Sequence, residues 1–287
     1  MSLSAVDVGM PEVKGPSAIG GGWRRFFHLI WVISRTDYKL TYFGSALGYV
    51  WAFMQPLLFF GVLYFVFAVV ISLNKGVPDF PVLLLMNIVL FSFFQQGTGG
   101  AITSVVLREN LVRKMHFPRL VIPLATVVTC SINFVFNMIV VLLFMLVYGV
   151  HPRLTWLLLP VLMLGLFIFT TGIAMLLSAL YVRYRDISQI WGVISQALYF
   201  ASPVFILIES VLQHGHTAAR FYLFNPLATI LQQARHWMIG GSGGGVGPAT
   251  IMGGKIWLLV PFGIIVGICL LGYWVFNREA PRIAEEL

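Results

Sequence analysis

Long apolar stretches separated by short polar ones dominate the chain. Six of them, 50–71, 82–107, 120–148, 154–182, 187–208 and 256–276, contain no Asp, Glu, Lys, Arg or His. About 20 such residues, rising 1.5 Å each in a helix, cross a hydrocarbon core of roughly 30 Å. The pattern therefore predicts an all-α integral membrane protein with six spanning helices. Pro56, Pro123, Pro160, Pro203 and Pro261 fall within these stretches and are expected to kink their helices. Ahead of the first span, residues 23–40 form a different pattern. On a helical projection Arg24, Arg25, His28, Arg35 and Lys39 fall within an arc of about 100°, with Trp23, Phe26, Phe27, Ile30 and Ser34 roughly opposite. That is an amphipathic helix suited to the membrane interface. After the fifth span, 221–239 mixes apolar residues with Asn225, Gln232, Gln233, Arg235 and His236, which suits short re-entrant or interfacial helices. The run GGSGGGVG at 240–247 lacks the Lys-Ser/Thr ending of a phosphate loop and is expected to be a flexible connector. The organisation is thus a disordered cytoplasmic tail at 1–22, an interface helix at 23–40, a transmembrane domain at 41–276 and a cytoplasmic tail at 277–287.

Composition sharpens this. Of 287 residues 59% are hydrophobic and 10% charged, against roughly 25% charged in a soluble domain. So apolar a chain of this size has no interior large enough to hide in, and its solvent must be lipid. The external loops of the six-span arrangement hold only Lys75, Arg153, Arg220, Arg235 and Lys255; the other 13 of 18 cations lie on the opposite side. By the positive-inside rule both termini are cytoplasmic. The first 22 residues contain no apolar core of a signal peptide, so the N-terminus is expected to be retained. Cys130 and Cys269 lie apart within apolar stretches and are read as small packing residues rather than metal ligands.

The absence of ionisable residues from the spans argues against proton or sodium coupling, and against hydrolytic or transferase chemistry within the bilayer. What the spans offer is neutral polarity, at Asn87, Gln95, Gln96, Thr98, Asn133 and Asn137, and a stripe of aromatics. Tyr49, Phe53, Phe60, Tyr64 and Phe67 share about 60° of arc, which fits either helix packing or a surface on which sugar rings stack. Arg24, Arg25, Arg35 and Lys39 suit an interfacial anchor or the recognition of an anionic lipid headgroup such as a diphosphate. Two compact basic segments, Arg108-Glu109-Asn110 with Arg113, Lys114, His116 and Arg119, and Arg183-Tyr184-Arg185-Asp186, serve either topology alone or docking of another protein. Gly44-xxx-Gly48 and Gly263-xxx-Gly267 would permit close helix approach.

Several segments carry a family resemblance. Residues 35–51 (RTDYKLTYFGSALGYVW) with Gln55-Pro56-Leu57, 110–124 (NLVRKMHFPRLVIPL), 183–187 (RYRDI), Ser202-Pro203-Val204-Phe205 and Phe224-Asn225-Pro226-Leu227 resemble, in order, ABC-2 type permeases of polysaccharide export. The resemblance is to the Wzm-type branch, which exports O-antigen and cell-wall galactan. Thr36, where many relatives carry Arg, and the glycine-rich 240s depart from it.

The resemblance implies a homodimeric, multi-pass permease of the bacterial cytoplasmic membrane, working with two copies of a separate ABC ATPase on a polyprenyl-diphosphate-linked glycan. No cofactor is expected on this chain, with ATP and Mg held by the ATPase, and no nucleic acid is implied. The chain has no GxxxxGK[ST] of its own and is not expected to be an enzyme. The resemblance also implies that Arg108, Glu109, Asn110, Arg113, Lys114, His116, Arg119, Arg183, Arg185 and Asp186 meet the ATPase. It places external gate helices around Asn225 and Pro226, and sets the stripe on span 1, with span 5, along a channel at the dimer centre. An ABC-2 permease for drugs or small lipids is the alternative within the same architecture; a membrane enzyme, an ion-coupled flippase or a structural subunit would be rivals outside it.

Overall fold

The structure, a computed structural model, describes residues 22–43, 47–71, 79–109, 118–204, 207–240 and 245–280; among these every regular element is helical. The interface helix is α1 (Trp23–Tyr42). Among the described residues five helices are long and apolar enough to cross a bilayer. They are α2 (Val50–Tyr64, continued by a π-helical turn over Phe65–Val70), α3 (Phe80–Leu107), α4 (Val121–Val147), α5 (Leu159–Arg183, preceded by a 3-10 turn at Leu154–Leu158) and α11 (Leu259–Glu279, preceded by a 3-10 turn at Lys255–Leu258).

The stretch expected as a fifth span is shorter than its sequence. Helix α6 covers Ile187–Ala201, 15 residues or about 22 Å, and stops where Ser202 turns extended before Pro203. Ile208–Leu212 forms a separate short helix, α7. Asn87 of α3 makes this break tolerable: its buried amide donates 2.7 Å to the Pro203 carbonyl, which no helix could satisfy there. The other prolines correct the expectation of kinks. Pro56 alone sits in a helix interior; Pro160 lies in the first two positions of its helix, and Pro123 and Pro261 at the third residue of theirs, where the N–H would have no intrahelical acceptor.

Helix α3 is hydrophobic on every side and becomes the axis of the fold, with α2, α4, α5 and α6 packed around it. Phe91, Phe94, Met86, Leu84 and Ile88 are fully enclosed. At the end where α3 and α5 finish and α4 begins, Phe26 and Ile30 of α1 join Val105, Val121, Ile122, Val182 and Phe276 in a second core. Helix α1 therefore rests on the bundle through Phe26, Ile30 and Ser34, whose hydroxyl donates to Ile30 and to the Ala125 carbonyl on α4. Trp23, Phe27 and Trp31 stay exposed beside the basic face.

At the other end, three short helices follow α7: α8 (His216–Tyr222), α9 (Pro226–Met238) and α10 (Pro248–Met252). Helix α9 lodges among α5, α11 and the Leu154–Leu158 turn. Asn225 caps it by accepting from the Leu227 N–H at 3.0 Å, and Pro226 pre-sets its first turn. Its last carbonyls are satisfied from outside: Thr155 donates to Trp237, and the Trp156 indole donates 2.8 Å to Met238. The glycine run is held on its described side as well, where Gln232 donates to Val246 and a His236 ring nitrogen meets the Gly245 carbonyl.

Close helix approach occurs at α5 and α11, through Gly172, Cys269 and Gly272 rather than through Gly263 and Gly267. A Cβ on Gly172 would meet Cys269 Sγ at 2.8 Å, and one on Gly272 would overlap the Gly172 carbonyl, whereas Gly263 and Gly267 face open space. Gly272→Leu is therefore expected to destabilise the protein by more than about 2 kcal/mol and Gly263→Leu by less than about 0.5 kcal/mol, read as thermal unfolding in detergent.

Candidate functional site

The neutral polar side chains along the helices include some with partners and some without. Thr98 donates to Phe94 and accepts the Trp191 indole at 3.1 Å; Asn137 and Ser131 donate to carbonyls one turn earlier; the Asn87 amide group is used at the Pro203 break. Gln55 of α2 and Gln95 and Gln96 of α3 hold no hydrogen bond among the described residues, and all three carboxamides are exposed. They surround a cleft of about 560 Å³ between α2 and α3, whose other walls are Pro56, Phe59, Ser92, Gly99 and Gly100. Gly99 and Gly100 lower one wall so that the cleft can form. Gln95 and Gln96 lie well inside the 28 residues of α3, at a depth where an unpaired amide facing hydrocarbon costs several kcal/mol. A cleft so lined is stable only if water or a hydroxyl-bearing ligand fills it.

A second cavity of about 300 Å³ opens toward the α1 end, bounded by Asp37 and Thr41 of α1, Gln96, Gly100, Ser104, Leu107 and Arg108 of α3, and Thr126, Thr129, Cys130 and Asn133 of α4. Gln96 and Gly100 line both cavities, so the two form one polar path along α3. Arg108 is bound by the Asp37 carboxylate, which ties α1 to the end of α3. The Tyr42 hydroxyl donates 3.0 Å to Asn133 Oδ1, a second tie from α1 to α4. Burial pushes the Tyr38 and Tyr42 phenols above their ordinary range, so both are protonated donors at neutral pH.

The sequence-predicted residues fall into separate places. The aromatic stripe faces into the protomer. Phe53 and Phe60 set their edges against Phe136 and Phe144 of α4, Phe60 stacks on Tyr64, and Phe67 and Tyr64 pack against the core. Tyr49 lies in a cluster with Tyr38 and Tyr42. These rings take part in helix packing, with Tyr49 half exposed, and the face of α2 left open carries Gln55, Leu58, Phe59 and Val62. Arg24, Arg25, Arg35 and Lys39 are exposed on α1. Among the docking candidates Asn110, Arg113, Lys114 and His116 lie outside the described residues. Arg119 is buried just before α4, and Arg108 is engaged by Asp37. Arg183, Arg185 and Asp186 form an exposed turn, with the guanidiniums over Tyr184 and Tyr181. At the far end Asn225 and Pro226 start α9, where Arg235, 5% exposed, pairs with Glu209 at 2.9 Å.

Sequence reasoning passed over Gln55 and the Asp37–Arg108 pair. Adjacent Gln95-Gln96 in an apolar run was a visible signal; the pair, 71 residues apart, left none.

These features describe a multi-pass helical membrane protein with a polar path along its central helix. The profile of the ABC-2 type transporter family matches residues 28–239. The chain belongs to that family. It is similar to the O-antigen export system permease protein RfbA of Klebsiella pneumoniae, with 28% identity over 262 residues that cover 91% of this chain and 95% of that one. It is similar also to RfbA of Myxococcus xanthus, at 30% identity covering 71% and 76%, and to the polysialic acid transport protein KpsM of Escherichia coli, at 23% identity covering 70% and 78%.

If Asp37 and Arg108 bind α1 to α3, a double-mutant cycle of Asp37→Asn and Arg108→Gln, read by thermal unfolding, will give a coupling of about 1 kcal/mol or more. Additive effects would dissolve the tie.

Proposed function

We propose that this chain is the transmembrane subunit of an ATP-driven exporter that moves a polyprenyl-diphosphate-linked polysaccharide across the bacterial cytoplasmic membrane. The observation that carries this reading is the row of free carboxamides, Gln55, Gln95 and Gln96, around a 560 Å³ cleft. A glycan bears hydroxyls that both give and accept hydrogen bonds, and carboxamides answer both without fixed charge. Phe59, 44% exposed on the same wall, adds an apolar ring to the cleft. The names of the relatives, O-antigen and polysialic acid transporters, point to the same cargo.

In this account two copies of the chain pair, the α6 to α7 segment completes a sixth crossing, and both termini are cytoplasmic. The basic face of α1, with Arg24, Arg25, Arg35 and Lys39, meets the diphosphate headgroup in the inner leaflet. Two copies of a separate ABC ATPase, carrying ATP and Mg, press on the exposed Arg183 to Asp186 turn and on 110–117. Because α1 rests on α4 and is tied to α3, a push on these cytoplasmic segments moves the start of the glycan path. The α7 to α10 cluster acts as the external gate, with Asn225 and Pro226 setting the direction of α9.

The test is reconstitution of this chain and its ATPase in vesicles with the lipid-linked glycan of the producing cell. Replacing Gln55, Gln95 and Gln96 together by Leu is expected to lower ATP-dependent glycan export at least tenfold while the ATPase still co-purifies. Undiminished export in the triple variant would refute the path, and export of small lipids or drugs alone would favour the alternative cargo.

A further inference from the structure

The cavity at the α1 end has a chemistry distinct from that of the basic face of α1. Every hydroxyl on its walls spends its proton on the protein's own backbone. Thr41 donates to the Asp37 carbonyl at 2.8 Å and Ser104 to Ala101 at 2.7 Å. Thr126 donates to Ile122 at 3.2 Å and Thr129 to Ala125 at 2.9 Å. Four hydroxyl oxygens are thereby fixed as acceptors, and the Asp37 carboxylate adds another. The donors are the free Gln96 amide, the NH2 of Asn133, whose oxygen is held by Tyr42, and Arg108 Nη1, which is buried without a hydrogen-bond partner. Arg108, the one cation among the described wall residues, has its charge paired with Asp37.

A lining of this kind, rich in acceptors and with its guanidinium already paired to a carboxylate, answers poorly to a phosphate or diphosphate, which brings acceptor oxygens and negative charge but almost no protons. It suits a neutral ligand that donates many hydrogen bonds and accepts a few. A sugar ring answers that description, and about 300 Å³ is the size of a small-ligand pocket. None of the lining residues is aromatic; without a stacking platform the site holds a ring weakly, as a station on a moving polymer must. We infer that this pocket between α1, α3 and α4 is a saccharide subsite, which takes a neutral sugar residue of the glycan and hands it along Gln96 to the larger cleft. The inference rests on the export reading above and adds to it a division of labour: charged headgroup outside on α1, uncharged sugar inside.

The experiment uses the full chain with its ATPase in vesicles, carrying Cys130→Ser, Cys269→Ser and Ser104→Cys. The rate at which a small polar methanethiosulfonate modifies the new thiol is followed with no addition, with glycan released from the producing cell's lipid-linked pool, and with inorganic diphosphate. Glycan is expected to slow modification at least threefold and diphosphate to leave it unchanged. Thr126→Cys, on the facing wall, should behave alike and serves if the first variant does not fold. Absence of protection at a glycan concentration that stimulates ATP hydrolysis in the same vesicles overturns the subsite alone, as does protection by diphosphate. Failure of the unaltered complex to respond to glycan at all overturns the export reading and the subsite together.

Discussion

In hydrocarbon no water is available to complete a hydrogen bond, so every polar group at bilayer depth must find its partner within the protein or create a wet place for itself. The fold is organised by that constraint. The Pro203 carbonyl, orphaned where α6 stops, is taken by Asn87. The end of α9 is completed by Thr155 and Trp156. Thr98 is closed off by its own helix and by Trp191. The carboxamides of Gln55, Gln95 and Gln96, unpaired among the described residues, are gathered around one shared cleft.

The same constraint explains the mechanical design. A helix such as α1, with Phe26 and Ile30 buried and its cations exposed, is fastened to the bundle by a few polar ties. Ser34 reaches the Ala125 carbonyl, Tyr42 reaches Asn133, and Asp37 holds Arg108. Each joins α1 to α3 or α4 around the smaller cavity, so displacement of α1 is felt at that cavity's walls. The basic face and one wall of the pocket lie on the same helix, which in the proposed export path keeps headgroup and glycan close without mixing their chemistries.

Much of this was legible in the sequence. Charge-free runs mark the long helices because length and hydropathy are local properties, and the 100° spacing of Arg24, Arg35 and Lys39 revealed α1 for the same reason. What escaped depends on partners distant in the chain. Ser202-Pro203 ends a helix only because Asn87, 116 residues away, can receive the break. The aromatic stripe on α2 was visible, but that its rings meet Phe136 and Phe144 was not. Asn87, Thr98, Gln95 and Gln96 look alike as neutral polar residues in one helix; only the surroundings tell that the first two are engaged and the last two are free. Likewise Gly263-xxx-Gly267 has the spacing of a contact, yet the contact falls at Gly272.

The central claim is that the carboxamide cleft is wet at bilayer depth, and it can be measured without knowing the substrate. A nitroxide placed at residue 96 and another at residue 62, on the open apolar face of α2, are compared in bilayers by collision with a polar nickel chelate and with oxygen. The account predicts that the label at 96 relaxes chiefly through the chelate and the label at 62 chiefly through oxygen. If both report oxygen access and neither meets the chelate, the cleft is filled by lipid and the account fails.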